Sequence, residues 1–124
     1  LGEKKRRLAV LERLQGLIVT EINAGLMGKT LEIGYSLIPS ERRKGYCTEA
    51  AQIVVDYLFL CKEAPCIQGI THVRNTASQR VLEKVGFKRE GIMRKRSFIR
   101  GEWTDMVLFS ILREEWKQPK ILKA

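Results

Sequence analysis

Leu31-Glu-Ile-Gly-Tyr-Ser-Leu-Ile-Pro-Ser-Glu-Arg-Arg-Lys-Gly-Tyr-Cys-Thr-Glu-Ala50 changes character twice within twenty residues. Residues 31–38 are apolar and aromatic, which reads as a strand, and Pro39 limits how far its ladder can continue. Residues 40–45 form a polar, basic turn. From Tyr46 to about Cys61 the period becomes helical: Ala51, Val54, Val55, Leu58 and Cys61 recur at three- and four-residue steps and make one apolar face. Pro65 lies beyond the end of that helix, and residues 67–73 read as a strand again. Strand, helix, strand implies a parallel pair joined by a right-handed crossover.

On the N-terminal side, residues 8–13 and 17–22 read as two strands of a hairpin, with Gly16 marking the turn. A loop with two glycines, residues 25–30, leads into the strand at Leu31. On the C-terminal side, Asn75 can cap a helix that carries Val81, Leu82 and Val85 inward and stops at Gly86. Strands follow at 91–98 and 103–112, joined by a turn at Arg100-Gly101, and Met106, Leu108, Ser110 and Leu112 share one face of the last. The residues after Trp116 form a basic tail expected to be loose. The predicted order is β-β-β-α-β-α-β-β, an α+β fold on a mixed sheet, with one domain over residues 1–118 and a tail over 119–124.

Composition narrows the function classes. A chain of 124 residues fits one domain, and 44% apolar with 30% charged residues is an ordinary globular balance. No apolar run approaches the roughly 18 residues that would span a bilayer, so no membrane partner is expected. Three cysteines without CxxC spacing argue against a disulfide frame, and His72, the one histidine, has no metal-ligand companion, so no metal is expected. A cytoplasmic setting follows as the default. The formal charge of +9 favours anionic partners without choosing among them.

Two segments carry chemistry. The first backbone N–H groups of a helix lack internal partners, and with the helix dipole they form an anion site. At the helix beginning near Tyr46, Gly45 lets a phosphate approach the main chain, and Arg42, Arg43 and Lys44 add positive charge. The same pattern fits a solvated basic turn. Asn75 and Ser78 open the next helix at the same carboxyl edge of the sheet, where ligands of open α/β sheets collect. Taken alone, they fit a plain helix cap better, with Asn75 accepting from the amide of Ser78.

Taken in order, these motifs resemble one family. Arg42-x-x-Gly45-x-Cys47 looks like the pyrophosphate loop of the GNAT N-acetyltransferases. Asn75-x-x-Ser78 followed by Glu83-Lys-x-Gly-Phe87 is similar to that family's closing helix. With Ile33-Gly-Tyr-x-Leu-x-Pro39, Glu90-Gly and Trp103-x-Asp105, the set resembles the RimJ/RimL subgroup of ribosomal-protein N-terminal acetyltransferases and their relatives, over about residues 8–116. The resemblance implies the GNAT acyl-CoA N-acyltransferase fold, lacking here the first strand and helices that cover the acceptor side. It implies an acyltransferase that uses acetyl-CoA as donor and moves the acetyl group to a primary amine, a peptide or protein N-terminus being favoured. Leu37 and Ile38 would offer backbone groups to the pantetheine and thioester; Arg42, Arg43, Lys44, Gly45, Tyr46, Cys47 and Thr48 would cradle the pyrophosphate; Asn75 would touch the pantetheine arm. The amine attacks the thioester directly, so a base helps: Glu32 is the candidate, and Ser78 is the candidate to protonate the departing thiolate.

The chain departs from the family in three places. Cys47 stands where glycine or alanine is usual, Leu82 where many members place a tyrosine acid, and Ser97 where some ribosomal-protein acetylases carry a glutamate. These leave room for a second class, a non-catalytic acyl-CoA-binding or sensing domain. A third, a basic nucleic-acid-binding module, is disfavoured because few aromatics interleave with the basic residues. An uncovered sheet edge would allow a homodimer. Trp103 and Trp116 are expected as packing anchors, Asp105 as a structural group, His72 as a strand residue, and Cys61 and Cys66 as core residues at the helix end. The Lys4-Lys-Arg-Arg7 run reads as a solvated terminus.

Overall fold

The computed structural model of the chain describes residues 14–23, 28–37 and 46–122. Within them, β1 (Leu14–Asn23), β2 (Lys29–Leu37), β3 (Cys66–His72), β4 (Lys88–Ile99) and β5 (Glu102–Leu112) form one sheet in the order β1-β2-β3-β5-β4. Helix α1 (Tyr46–Cys61) links β2 to β3, α2 (Thr76–Val85) links β3 to β4, and a single turn, α3 (Arg113–Trp116), follows β5. β2 and β3 are parallel and every other pair is antiparallel, the mixed α+β arrangement expected. Among the described residues no helix is long and apolar enough to cross a membrane.

The strand expected at 8–13 lies outside the described residues. Gly16, expected in a turn, instead sits inside β1. Gln15 opposes Ser36 and Ile18 opposes Gly34, so β1 carries one more residue than β2 at that point. A glycine in a strand interior often marks such a bulge, and Gly16 does so here.

Odd-numbered strand positions face the helices. Leu31, Ile33, Ile67, Val107, Phe109 and Ile111 are buried against Val54, Val55, Leu58 and Phe59 of α1 and Leu82 and Val85 of α2. Even-numbered positions such as Glu32, Gln68, Ile70, Met106 and Leu108 are half-buried on the other face. Helix α2 ends as its sequence predicts: Gly86 adopts φ 110°, its N–H reaches Glu83 O at 3.0 Å, and Phe87 N–H reaches Leu82 O at 2.9 Å. The β4–β5 turn uses Arg100 and Gly101 at φ 52° and 81°, the left-handed pair that a two-residue hairpin needs.

Helix α1 is held from the far end of the chain. Its Asp56 is fully buried. Asp56 Oδ1 accepts from Trp116 Nε1 at 2.8 Å and Gln52 Nε2 at 3.0 Å. Its Oδ2 accepts from the backbone N–H groups of Lys120 (3.0 Å), Ile121 (2.7 Å) and Leu122 (3.0 Å). Burial pushes this carboxyl's pKa up, but the Trp116 and backbone donors outweigh that and hold it below the usual value. Arg113 closes the helix's other end, donating to Phe59 O (2.8 Å), Ala64 O (3.1 Å) and Lys62 O while its guanidinium lies 4.9 Å from the Phe59 ring centre. The tail expected to be loose is therefore tied down as far as Leu122. Two further expectations change. Cys61 is exposed, because the apolar face of α1 swings to Phe59 at its end; Trp103 is 60% exposed, leaving Trp116 as the buried anchor.

Candidate active site

The parallel pair at the centre of the sheet comes apart. β2 and β3 pair only at Leu31–Ile67, Glu32–Gln68 and Ile33–Gly69, yet β2 continues to Leu37 and β3 to His72. Beyond the last pair, β2 remains bonded to β1 on its outer edge, with Gly34 opposite Ile18 and Leu37 opposite Leu14. β3 remains bonded to β5 on its own outer edge, with Ile70 opposite Leu108 and His72 opposite Met106. Each prong of the fork thus has one edge of N–H and C=O groups that the other prong does not satisfy. Such groups need partners, and an extended amide-bearing ligand supplies them as a strand would.

Both helices start at the mouth of this fork. α1 begins at Tyr46 after β2, and α2 at Thr76 after β3, so the positive ends of two helix dipoles sit at the carboxyl edge of the parallel pair. Thr48, Tyr46 and Cys47 belong to the first turn of α1, and Leu37 is the last residue of β2. Ile38, Arg42, Arg43, Lys44 and Gly45 lie outside the described residues. Asn75 caps α2, its Oδ1 accepting from Ser78 N at 3.0 Å as the cap reading predicts. That bond uses the carbonyl oxygen and leaves the carboxamide NH2 with its own donors. Ser78 is half-buried in the first turn.

Glu32 sits one pair short of the fork, half-buried, and Gln68 Nε2 donates to its Oε1 at 2.9 Å across the parallel ladder. Nothing in the local sequence marks Gln68; only the strand register brings it beside Glu32, 36 residues away. His72 ends β3 on the same face, and its Nδ1 accepts from Arg74 N at 3.1 Å, which leaves Nε2 as the nitrogen carrying the proton in the neutral ring. Leu82, where a tyrosine acid would otherwise stand, is buried in the core against Gly69: a Cβ at that glycine would lie 3.4 Å from both Leu82 methyls.

Residues 4–88 match the acetyltransferase (GNAT) domain family. The chain belongs to the GNAT family. This GNAT domain is 42% identical over 90 residues to the probable N-acetyltransferase YjcK of Bacillus subtilis, covering 73% of this chain and 50% of that protein. It shares 29% identity and a TM-score of 0.70 with the ribosomal-protein-S5-alanine acetyltransferase of Vibrio fischeri, over 79% of this chain and 54% of that one. With Mycobacterium smegmatis RimJ, solved in complex with a CoA-disulfide, it shares 29% identity and a TM-score of 0.76, over 83% and 49% of the two chains. The GNAT domain described here spans about half the length of the curated relatives it matches.

Proposed function

We propose that this GNAT domain moves an acetyl group from acetyl-CoA to a primary amine, with a peptide or protein N-terminus as the favoured acceptor. The parting of β2 from β3 after Ile33 and Gly69, with a helix opening beyond each prong, is the observation that carries the reading. In this reading the free edge of β2 as far as Leu37 binds the pantetheine amides together with the backbone of Ile38, and a backbone N–H near Leu37 polarises the thioester carbonyl. Residues 42–48 hold the diphosphate with main-chain N–H groups and the side chains of Arg42, Arg43 and Lys44. Asn75 offers its carboxamide NH2 to the pantetheine arm while its oxygen caps α2.

The reaction needs a neutral amine. Glu32, held by Gln68, takes the amine's proton directly or through one water. The amine nitrogen bonds to the thioester carbon, the carbon–sulfur bond breaks, and Ser78 supplies a proton to the departing sulfur. The test is a thiol-release assay with acetyl-CoA against a panel of peptides and amines. Gly45→Glu places a carboxylate against the diphosphate and should abolish acetyl-CoA affinity; unchanged affinity would show that the phosphate loop is misplaced. Glu32→Gln should lower the rate by about 100-fold near neutral pH. An unchanged rate removes Glu32 as base, and tight acetyl-CoA binding without thiol release on any amine favours a sensing domain.

A further inference from the structure

The β4–β5 hairpin is irregular where regular pairing would be easiest. Between Met93–Met106 and Ser97–Thr104, β4 advances four residues while β5 advances two. The surplus is absorbed at Arg94-Lys95-Arg96, where Lys95 takes φ 48° and its N–H is held by Asp105 Oδ1 at 2.8 Å. A bulge of this kind re-aims side chains, and this one borders an open hollow of about 680 Å3 lined by Ile92, Arg94, Lys95 and Asp105. A smaller hollow of about 160 Å3 adjoins it through the shared Asp105 and is lined also by His72, Arg74, Glu102, Trp103 and Thr104. It reaches the last residue of β3, one prong of the fork.

The two hollows form a path with a charge. Arg94 and Lys95 line the larger hollow, Arg96 and Arg100 lie elsewhere on the same hairpin, and all four are exposed and form no ion pair among the described residues. Of the acidic groups beside the path, Glu102 is paired with Arg74 at 3.6 Å and Asp105 is engaged with the bulge backbone. Phe98 and Trp103 stand opposite each other at the hairpin end, 58% and 60% exposed, with ring centres 5.2 Å apart. Arg94 and Lys95 at the larger hollow and exposed Trp103 at the smaller, on a path that reaches the end of β3, make a surface for a chain that is both apolar and anionic.

The geometry points to an acidic peptide segment as the ligand of this groove: the acceptor's residues behind its amino group lie along Arg94 and Lys95. The name acceptor rests on the transferase reading above; the binding itself does not. A cationic acceptor such as a polyamine would meet the same charges with the wrong sign.

The test measures peptide binding by calorimetry, with and without CoA, on the full chain. Two peptides share length and N-terminal residue and differ only in carrying Asp and Glu or Lys at the next three positions. Two exposed ion pairs at about 2- to 5-fold each predict roughly 10-fold tighter binding of the acidic peptide at low salt. The double variant Arg94→Glu, Lys95→Glu should erase or invert that preference while CoA affinity holds. No binding of the acidic peptide, equal binding of both, a preference that survives the double variant, or tighter competition by a single-stranded oligonucleotide would each overturn the inference. Preferential binding of the acidic peptide without acetylation of any amine would instead sink the transferase reading and leave the groove's specificity standing.

Discussion

Replacing Asp56 tests how the domain is closed. Its carboxylate is fully buried and accepts five hydrogen bonds, three of them from consecutive backbone N–H groups at 120–122. Asp56→Ala strands all five donors, and loss of one partner in a buried charged network costs about 3–5 kcal/mol. Unfolding entropy of about 2.1 cal/mol/K per residue, over 124 residues, turns that into a Tm drop of roughly 10–20 °C. Asp56→Asn is nearly isosteric but should rescue little, because either orientation of the amide aims its NH2 at donors: Trp116 and Gln52 on one side, the tail on the other. The pH dependence has a defined sign. The folded carboxyl titrates below the unfolded one, so acid adds protons preferentially to the unfolded chain. The contribution is complete above the unfolded pKa of about 3.9 and is lost as pH falls through the lower folded value. Denaturant titrations at pH 7 and through the range below pH 4 should show the wild type losing stability more steeply than Asp56→Asn. A cost below about 1 kcal/mol for both variants, or parallel profiles in acid, would refute the reasoning.

Two further perturbations separate packing from chemistry. Gly69→Leu drives a side chain into Leu82, so thermal melts should show a loss of about 1–3 kcal/mol, and a titration should show weaker acetyl-CoA binding as α2 is pushed from the fork. Arg113→Met keeps the stem but frees three carbonyls at the end of α1, costing about 1–3 kcal/mol in denaturant titrations. Because Arg113's partners there are carbonyls and a ring rather than carboxylates, that loss should change little with salt.

The parts of the fold that announce themselves in the sequence are those set by neighbours a few residues apart. Asn75 and Gly86 bracket α2 as expected because both caps act within one turn. Arg100-Gly101 makes its hairpin turn for the same local reason. Gly16 misleads because glycine suits a bulge as well as a turn, and only the pairing with β2 decides between them. Trp103 misleads because its size suggests a core position, whereas its place at the hairpin end leaves it in solvent. Asp56 gives no signal at all: an acidic residue on an otherwise apolar helix acquires its meaning from donors 60 to 66 residues later. At the candidate site, the fork follows from the strand–helix–strand pattern, while the Gln68–Glu32 contact depends on a register that no local pattern encodes.

The clasp of Arg113 and residues 120–122 around α1 bears on the order in which the domain closes during synthesis. The carbonyls at the end of α1 wait some fifty residues for their donor, and Asp56 waits longer still for the tail. During elongation the helix can form, but it carries a stranded carboxylate and an open terminus until residues 113–122 have left the exit tunnel. Residues 113–122 are thus what locks α1, so closure of that helix waits for a segment made some fifty to sixty-five residues after it rather than following its own synthesis.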